Sequence, residues 1–287
     1  MSTEGFSEKM SAQKKVEISP LGIIAGDGSL PDRLITGCMN LQRDVFVINI
    51  DTNKNPSDSL HKVPHITLGI SSVGKAVKTL KERNIQEIIF AGSVKRPKLS
   101  SLRPDAGGIK LLTKISTAKL GGDNSLLSIV VKHFEDQGFK VVGVDDVLKD
   151  LLMPKGAIGN IEPDEEMLNN IKFGKTAIKK IGELDIGQSI VVQQNIVLGV
   201  EAIEGTDALI KRCGGLQLEG AKPVLVKMKK PTQDPRIDLP TIGLKTLRNC
   251  HEAGFAGIAV EAGGALVLDK EKMIEKANQM GLFIVGI

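Results

Sequence analysis

Apolar runs short enough to be single strands alternate with stretches of helical period from Leu21 to the end of the chain. Leu21–Ala25, Val45–Ile50 and Gln86–Ala91 are nearly all apolar and give way to Gly26, Asp51 and Gly92, the signature of buried strands. Between them, residues 32–41 and 72–83 carry helical spacing, with Ser72 placed to cap its helix. Gly121-Gly122-Asp123-Asn124 precedes a helix running to Gln137, and 139–144 reads as another strand. Strands and helices alternating at this spacing predict a Rossmann-like parallel sheet with helices on its faces, over residues 19–150.

The second half, 151–287, has a different texture but the same α/β class. Residues 154–186 are mostly helical in pattern, with Pro163-Asp164-Glu165-Glu166 opening a helix through an acidic first turn. Ser189–Ala202 reads as two short strands meeting at Gln194-Asn195, a hairpin. A helix capped by Thr206 or Asp207 would run to Cys213. Strand 223–226, helix 244–253, strand 255–260, helix 269–280 and strand 282–287 complete the unit. Residues 1–18 are polar and lysine-bearing without an apolar core, and are expected to be a flexible tail rather than a signal peptide or anchor.

One loop stands apart from this regular pattern. Lys227 to Gly243 holds Lys227, Lys229, Lys230 and Arg236, the carboxylates Asp234 and Asp238, and prolines at 231, 235 and 240. The prolines exclude a regular helix, leaving a stiff loop at the carboxyl side of a strand, where open α/β sheets tend to bind ligands. Cations that hold phosphates beside carboxylates that bind a metal or orient water suit hydrolysis of a phosphoester or pyrophosphate. A solvated loop with incidental ion pairs is the competing reading. A second cluster, Glu201, Glu204, Thr206 and Asp207, suits metal binding or substrate hydroxyls, and equally suits helix capping.

Composition narrows the classes. The 287 residues are 41% hydrophobic and 25% charged, globular values, with net charge +4. No apolar run reaches the roughly 18 residues that a membrane span needs. Three scattered cysteines argue for a reducing cytosol and against a disulfide framework, and four dispersed histidines argue against zinc. Trp and Tyr are absent and no dense basic stripe exists, so nucleic acid is not the expected partner. Gly26-Asp27-Gly28 follows a strand, but the third glycine of a dinucleotide fingerprint is Pro31 here, which weakens an NAD reading. A loop whose amides approach a phosphate and a plain tight turn both remain open.

The runs 185–194, Val200-Glu-Ala-Ile-Glu-Gly-Thr-Asp207 and Lys230-Pro-Thr-Gln-Asp-Pro-Arg-Ile-Asp-Leu-Pro-Thr-Ile-Gly243 resemble the LpxI family of UDP-2,3-diacylglucosamine pyrophosphatases. Leu21-Gly-Ile-Ile-Ala-Gly-Asp-Gly-Ser-Leu-Pro31, Gly92-Ser-Val-Lys-Arg-Pro97, Val260-Glu-Ala-Gly-Gly264 and Gly281–Gly286 are similar to it too, so the likeness spans nearly the whole chain. The resemblance implies two α/β domains with the substrate in the cleft between them. It implies hydrolysis of UDP-2,3-diacylglucosamine to lipid X (2,3-diacylglucosamine 1-phosphate) and UMP in the lipid A pathway of Gram-negative bacteria. Mg2+ is the implied cofactor, and water is directed at the sugar-side phosphorus.

On that resemblance the substrate contacts are Gly28, Leu30, Gly92, Lys95, Arg96, Gln188, Glu201, Glu204, Thr206, Asp207, Lys227, Gln233 and Arg236. Lys227 and Arg236 would clamp phosphate, Arg236 through its planar fork. Asp234 and Asp238 are the candidate catalytic carboxylates. Asp234, directly after Gln233 in the marking motif, is preferred and is the candidate Mg2+ ligand. The glycolipid substrate implies a cytoplasmic enzyme in peripheral contact with the inner membrane surface, with helix 165–181 a candidate wall for acyl chains. The oligomeric state stays open, a homodimer included. The alternative is a nucleotide-sugar or lipid-binding protein without catalysis.

Overall fold

A computed structural model describes residues 19–51, 58–94, 102–117, 123–231 and 233–287. The expected N-terminal tail and the Gly121-Gly122 turn lie outside the described residues.

In the first half, β1 (Leu21–Ala25), β2 (Val45–Ile50), β3 (His65–Leu68), β4 (Glu87–Ala91) and β5 (Lys140–Val141) pair in parallel in the order β3-β2-β1-β4-β5. The helices are α1 (Leu30–Asn40), α2 (Val73–Glu82), α3 (Ala106–Thr117), α4 (Asp123–Asp136) and the single turn α5 (Val144–Val147). Alternation along each strand sorts the side chains onto two faces. Val45 and Val47 pack with Leu34, Ile35 and Cys38 of α1, whereas Phe46, Ile48 and Ile50 pack with Val73 and Leu80 of α2 and Phe134 of α4. The order of strands reverses between β1 and β4, so the loops after them flank the switch point where such sheets bind ligands.

The second half comprises β6 (Gly156–Ala157), α6 (Glu165–Glu183), β7 (Ser189–Gln193), β8 (Ile196–Val200), α7 (Thr206–Gly214), β9 (Val224–Lys227), β10 (Thr241–Ile242), α8 (Leu244–Glu252), β11 (Gly257–Val260), β12 (Leu266–Val267), α9 (Lys270–Met280) and β13 (Phe283–Gly286). Its main sheet runs β6-β13-β11-β9-β7-β8, with β9, β11 and β13 parallel and β6, β7 and β8 in antiparallel pairings. α6 covers one face through Ile171 and Ile178 against Val224 and Val226. The other face carries Leu209 of α7, Leu247 of α8 and Met273 of α9 against Val191, Leu225 and Val260.

Several expectations change in detail. The helix expected to open at Pro163-Asp164-Glu165-Glu166 does so, α6 beginning at Glu165 where the Asp164 carboxylate accepts from the Met167 N–H. Gly156 and Ala157, however, in the stretch read as mostly helical, pair instead with β13. Strand 139–144 shrinks to Lys140–Val141, because the Asp146 carboxylate accepts from the Gly143 N–H and turns Val144 into α5. Ser72 precedes α2 but makes no side-chain capping bond. The hairpin turn falls at Gln194 and Asn195, whose φ angles of 51° and 58° are the pair that a two-residue type I′ turn requires.

The halves also share apolar contacts. Leu266 and Leu268 are buried in the first half's cluster with Leu148 and Leu151, and Leu239 packs against it. Arg33 of α1 pairs with Asp269 at the start of α9. Among the described residues no helix is long and apolar enough to cross a membrane.

Candidate functional site

β9 is an inner strand, and its last residue is a lysine. Strand alternation puts Lys227 on the same face as Leu225, towards α7 and α8. The side chain is only 6% exposed, and its Nζ donates to Thr206 Oγ1 at 3.0 Å and to the Thr241 carbonyl at 3.3 Å. Burial pushes the ammonium's pKa down, while the nearby carboxylates of Glu201, Asp207 and Asp238 oppose that shift. Three acidic residues, two from the run 201–207 and one from the loop after β9, thus converge on one buried cation.

Thr206 links the cluster. Its hydroxyl donates to Glu201 Oε1 at 3.0 Å and lies 3.3 Å from the Ser189 hydroxyl. Ser189 faces Lys227 directly in the β7–β9 register and is fully buried. Glu201 is 7% exposed, and its other oxygen, Oε2, is buried without a hydrogen-bond partner. Gln188 Oε1 and Gln233 Nε2 are in the same condition. Buried polar atoms in this state are uncommon and point to a missing polar partner.

The expected cap of α7 is corrected. Neither Thr206 nor Asp207 caps the helix: Gly205, with φ of 81°, holds that position and supplies no side-chain acceptor, because Thr206 is turned towards Glu201 and Lys227. The first-turn N–H groups of α7 therefore lie beside a lysine without a side-chain acceptor at the cap, an arrangement suited to an anion. Asp207 accepts from Asn249 Nδ2 at 2.8 Å and pairs with Lys245 at 2.7 Å. Glu204 turns away to Arg212 at 2.9 Å and to the Ala202 N–H, so it braces its own loop. Gln233 accepts from the Lys230 N–H through Oε1, which closes the loop on itself.

Asp234 and Arg236 form a pair. Asp234 Oδ1 accepts from the backbone N–H and Nε of Arg236, both at 3.0 Å; Oδ2 accepts from Nε at 3.2 Å and Nη2 at 2.7 Å. That side-chain hydrogen bonding holds the Asp234 carboxyl below the usual carboxylate range, against the opposing effect of burial. Three N–H groups thereby occupy it, the single Nε–H being shared between both oxygens, which leaves about one of its four lone-pair sites. Asp234 as a metal ligand would place a second cation beside the guanidinium. Arg236 Nη1 reaches across to Glu135 Oε1 of α4 at 2.7 Å. Asp238, four residues on, donates its N–H to the Asp234 carbonyl, while its carboxylate lies close enough to act on Lys227.

In the first half, Asp27 and Ser93 exchange backbone hydrogen bonds of 2.7 and 2.9 Å, zipping together the loops after β1 and β4. A Cβ at Gly92, whose φ is 86°, would meet the Asp27 carbonyl at 2.5 Å, so packing already demands glycine there. Gly28, at φ 105°, has open space around its Cα. Leu30 opens α1 and packs against the first-half core, with Pro31 tolerated in the helix's first turn. Lys95 and Arg96 lie outside the described residues.

Among the described residues no group of three or more His, Cys, Asp or Glu side chains is arranged to hold a metal ion. Mg2+ asks less, taking one or two carboxylates and completing its shell with phosphate oxygens and water. Glu201, with its unpartnered oxygen, fits that requirement. Along the candidate acyl wall, ordinary core packing accounts for Ile171 and Ile178, while Leu168 and Phe173 are exposed. Exposed apolar side chains also stand on the two loops bordering the cluster, Leu184 and Ile186 on one and Ile203 on the other. Those loops touch, since a Cβ at Gly187 would meet the Glu201 carbonyl at 1.9 Å. Lys230 grips Asp185, between the first two, at 2.5 Å.

Sequence reasoning missed Ser189 and Glu135. A serine opening an otherwise apolar strand is a usable signal for the first. Glu135 lies 101 positions from its partner on an ordinary helix, and nothing local marks it.

A family model described as the LpxI N-terminal domain matches residues 20–151, and one described as the LpxI C-terminal domain matches residues 154–285. The chain is 40% identical over 273 residues to the UDP-2,3-diacylglucosamine pyrophosphatase LpxI of Caulobacter vibrioides, the match spanning 93% of this chain and 97% of that protein. A crystal structure of isoflavone reductase aligns over 93% of this chain and 78% of its own with a TM-score of 0.28 and 10% identity, too distant to carry an argument.

Proposed function

The chain belongs to the LpxI family, and on that premise we propose that it is a hydrolase of lipid A biosynthesis that cleaves the pyrophosphate of UDP-2,3-diacylglucosamine. The products in this reading are lipid X and UMP, and Mg2+ is the cofactor. The observation that carries it is the 40% identity to a named UDP-2,3-diacylglucosamine pyrophosphatase across 97% of that relative's length.

The buried cluster supports the chemistry. A pyrophosphate diester carries negative charge that repels an incoming oxygen, so cations must offset it before water can attack. Lys227 and the first turn of α7 form one cationic wall. Arg236 forms the other: Nε, Nη2 and Nη1 each commit one N–H to Asp234 or Glu135, which leaves two of its five for a phosphate. Asp234, kept ionised by Arg236, accepts a proton from water as its oxygen bonds to the sugar-side phosphorus and UMP departs with the bridging oxygen. Asp238 is the second candidate for that role. Bound Mg2+ would neutralise phosphate charge, with Glu201 among its ligands. The substrate lies between the halves. In this reading its acyl chains and the inner membrane face meet Leu184, Ile186 and Ile203, with the enzyme working at the cytoplasmic surface.

Purified protein incubated with UDP-2,3-diacylglucosamine and Mg2+ in mixed micelles tests this by resolving the nucleotide released. UMP formation that chelator abolishes is expected. Absence of UMP across pH and detergent conditions would overturn the enzymatic reading and leave a binding protein.

A further inference from the structure

The loop that carries Asp234 belongs to the second half by sequence but leans on the first. Arg236 bonds to Glu135 of α4, and a Cβ at Gly143 would sit 3.4 Å from the Arg236 Cα. Ile237 packs against the cluster of Phe134, Phe139 and Val141, and Leu239 against that of Leu148 and Leu151. Lys227, Thr206, Ser189 and Glu201, in contrast, are held by β9, β7 and α7 of the second half. The two parts of the site are therefore registered by different frames.

We propose that Glu135 is a positioning residue: it fixes the plane of the Arg236 guanidinium, and through it the Asp234 carboxylate, against the Lys227 cluster. The inference rests on the hydrolase reading and adds a first-half residue to it. A guanidinium held by Asp234 alone can swing with the loop. Held at Nη1 as well, it is pinned at opposite edges, and its two remaining N–H groups point in a set direction. α4 is itself anchored, since Phe134, next to Glu135, is buried against Phe90 and Phe139 at ring-centroid distances of 5.5 and 6.0 Å. The acceptor therefore sits on a rigid support, as a positioning group must.

Steady-state kinetics of Glu135→Ala and Glu135→Gln on the full chain test this, alongside thermal melting. Orientation matters most in the transition state, so Glu135→Ala is expected to lower kcat about tenfold, short of the 10²-fold cost of a misplacement of about 1 Å. KM should stay within about threefold. Glu135→Gln keeps an acceptor for Nη1 and should recover most of the rate. An alanine variant with parental kcat, a loss confined to KM, or a loss glutamine does not restore would each overturn the proposal. If the parent protein itself releases no UMP, the hydrolase reading has failed instead, and that result is separate.

Discussion

Replacing Lys227 by Met tests whether the buried ammonium faces the reacting phosphates or serves only to hold the fold. Methionine keeps the length and most of the apolar stem of the side chain while removing its charge and its donors to Thr206 and Thr241. Two effects follow, and they can be measured apart. In the fold, Glu201 and its neighbours lose a buried counter-charge; breaking a buried pair costs about 3–5 kcal/mol when one partner is removed. Here the lysine's own desolvation, visible in its lowered pKa, is relieved at the same time. The net loss should therefore be smaller, roughly 1–3 kcal/mol. In catalysis, removing one preorganised donor aimed at developing charge typically costs on the order of 10²–10³ in kcat. Urea unfolding and single-turnover release of UMP give the two quantities. A kcat within threefold of the parent would refute the placement of the ammonium against the transition state. Unchanged or raised stability would show that the surrounding carboxylates do not need it.

Asp234→Ala should lower kcat by about 10²–10⁴ with little change in KM, as expected for a group acting mainly as water attacks. Asp238→Ala is the matched variant, and an inactive Asp238→Ala beside a normal Asp234→Ala would exchange their roles. Stability should depend on pH through Glu87, whose pKa lies below its ordinary 4.5 because of hydrogen bonds first from Lys140 and then from Arg43. That contribution is present above pH 4.5 and lost as pH falls through the lowered value, so Glu87→Gln should cost roughly 1–2 kcal/mol at pH 7 and progressively less as pH falls below 4.5. Equal deficits above and below pH 4.5 in urea titrations would count against this account. Ile186→Asp with Ile203→Asp should weaken sedimentation with phosphatidylglycerol vesicles; unchanged sedimentation would show that the membrane meets another surface.

The α/β class and most elements were legible because short apolar strands and helical spacing alternate with little ambiguity. The misses share a physical cause: weak local signal overridden by tertiary pairing. β3, His65-Ile-Thr-Leu, has partly exposed side chains and gains its strand geometry from β2. α3 carries Gly107 and Gly108 in its first turn, poor helix formers that are demanded by close approach to Gly74 and Ser71. β10 and β12 are two residues long and exist through each other. At the site, the loop 227–243 and the run 201–207 were visible as charge patterns. Their division of labour was not: Glu201 turns inward, Glu204 outward, and Gly205 displaces Thr206 as cap through contacts that local spacing does not encode.

The boundary between the two family models, at residues 151 and 154, does not divide the apolar core. Leu266 and Leu268 complete the first half's interior from 115 or more positions away in sequence. Cutting the chain there would expose both on the C-terminal piece and leave a vacancy in the N-terminal one. Each buried leucine accounts for about 1.5–3 kcal/mol of transfer free energy, a large share of what an ordinary domain has to spare. The two halves are units of recognition and of architecture, but they are not interchangeable cassettes. Evolution can exchange one for a foreign α/β domain only by rebuilding the other's interior as well.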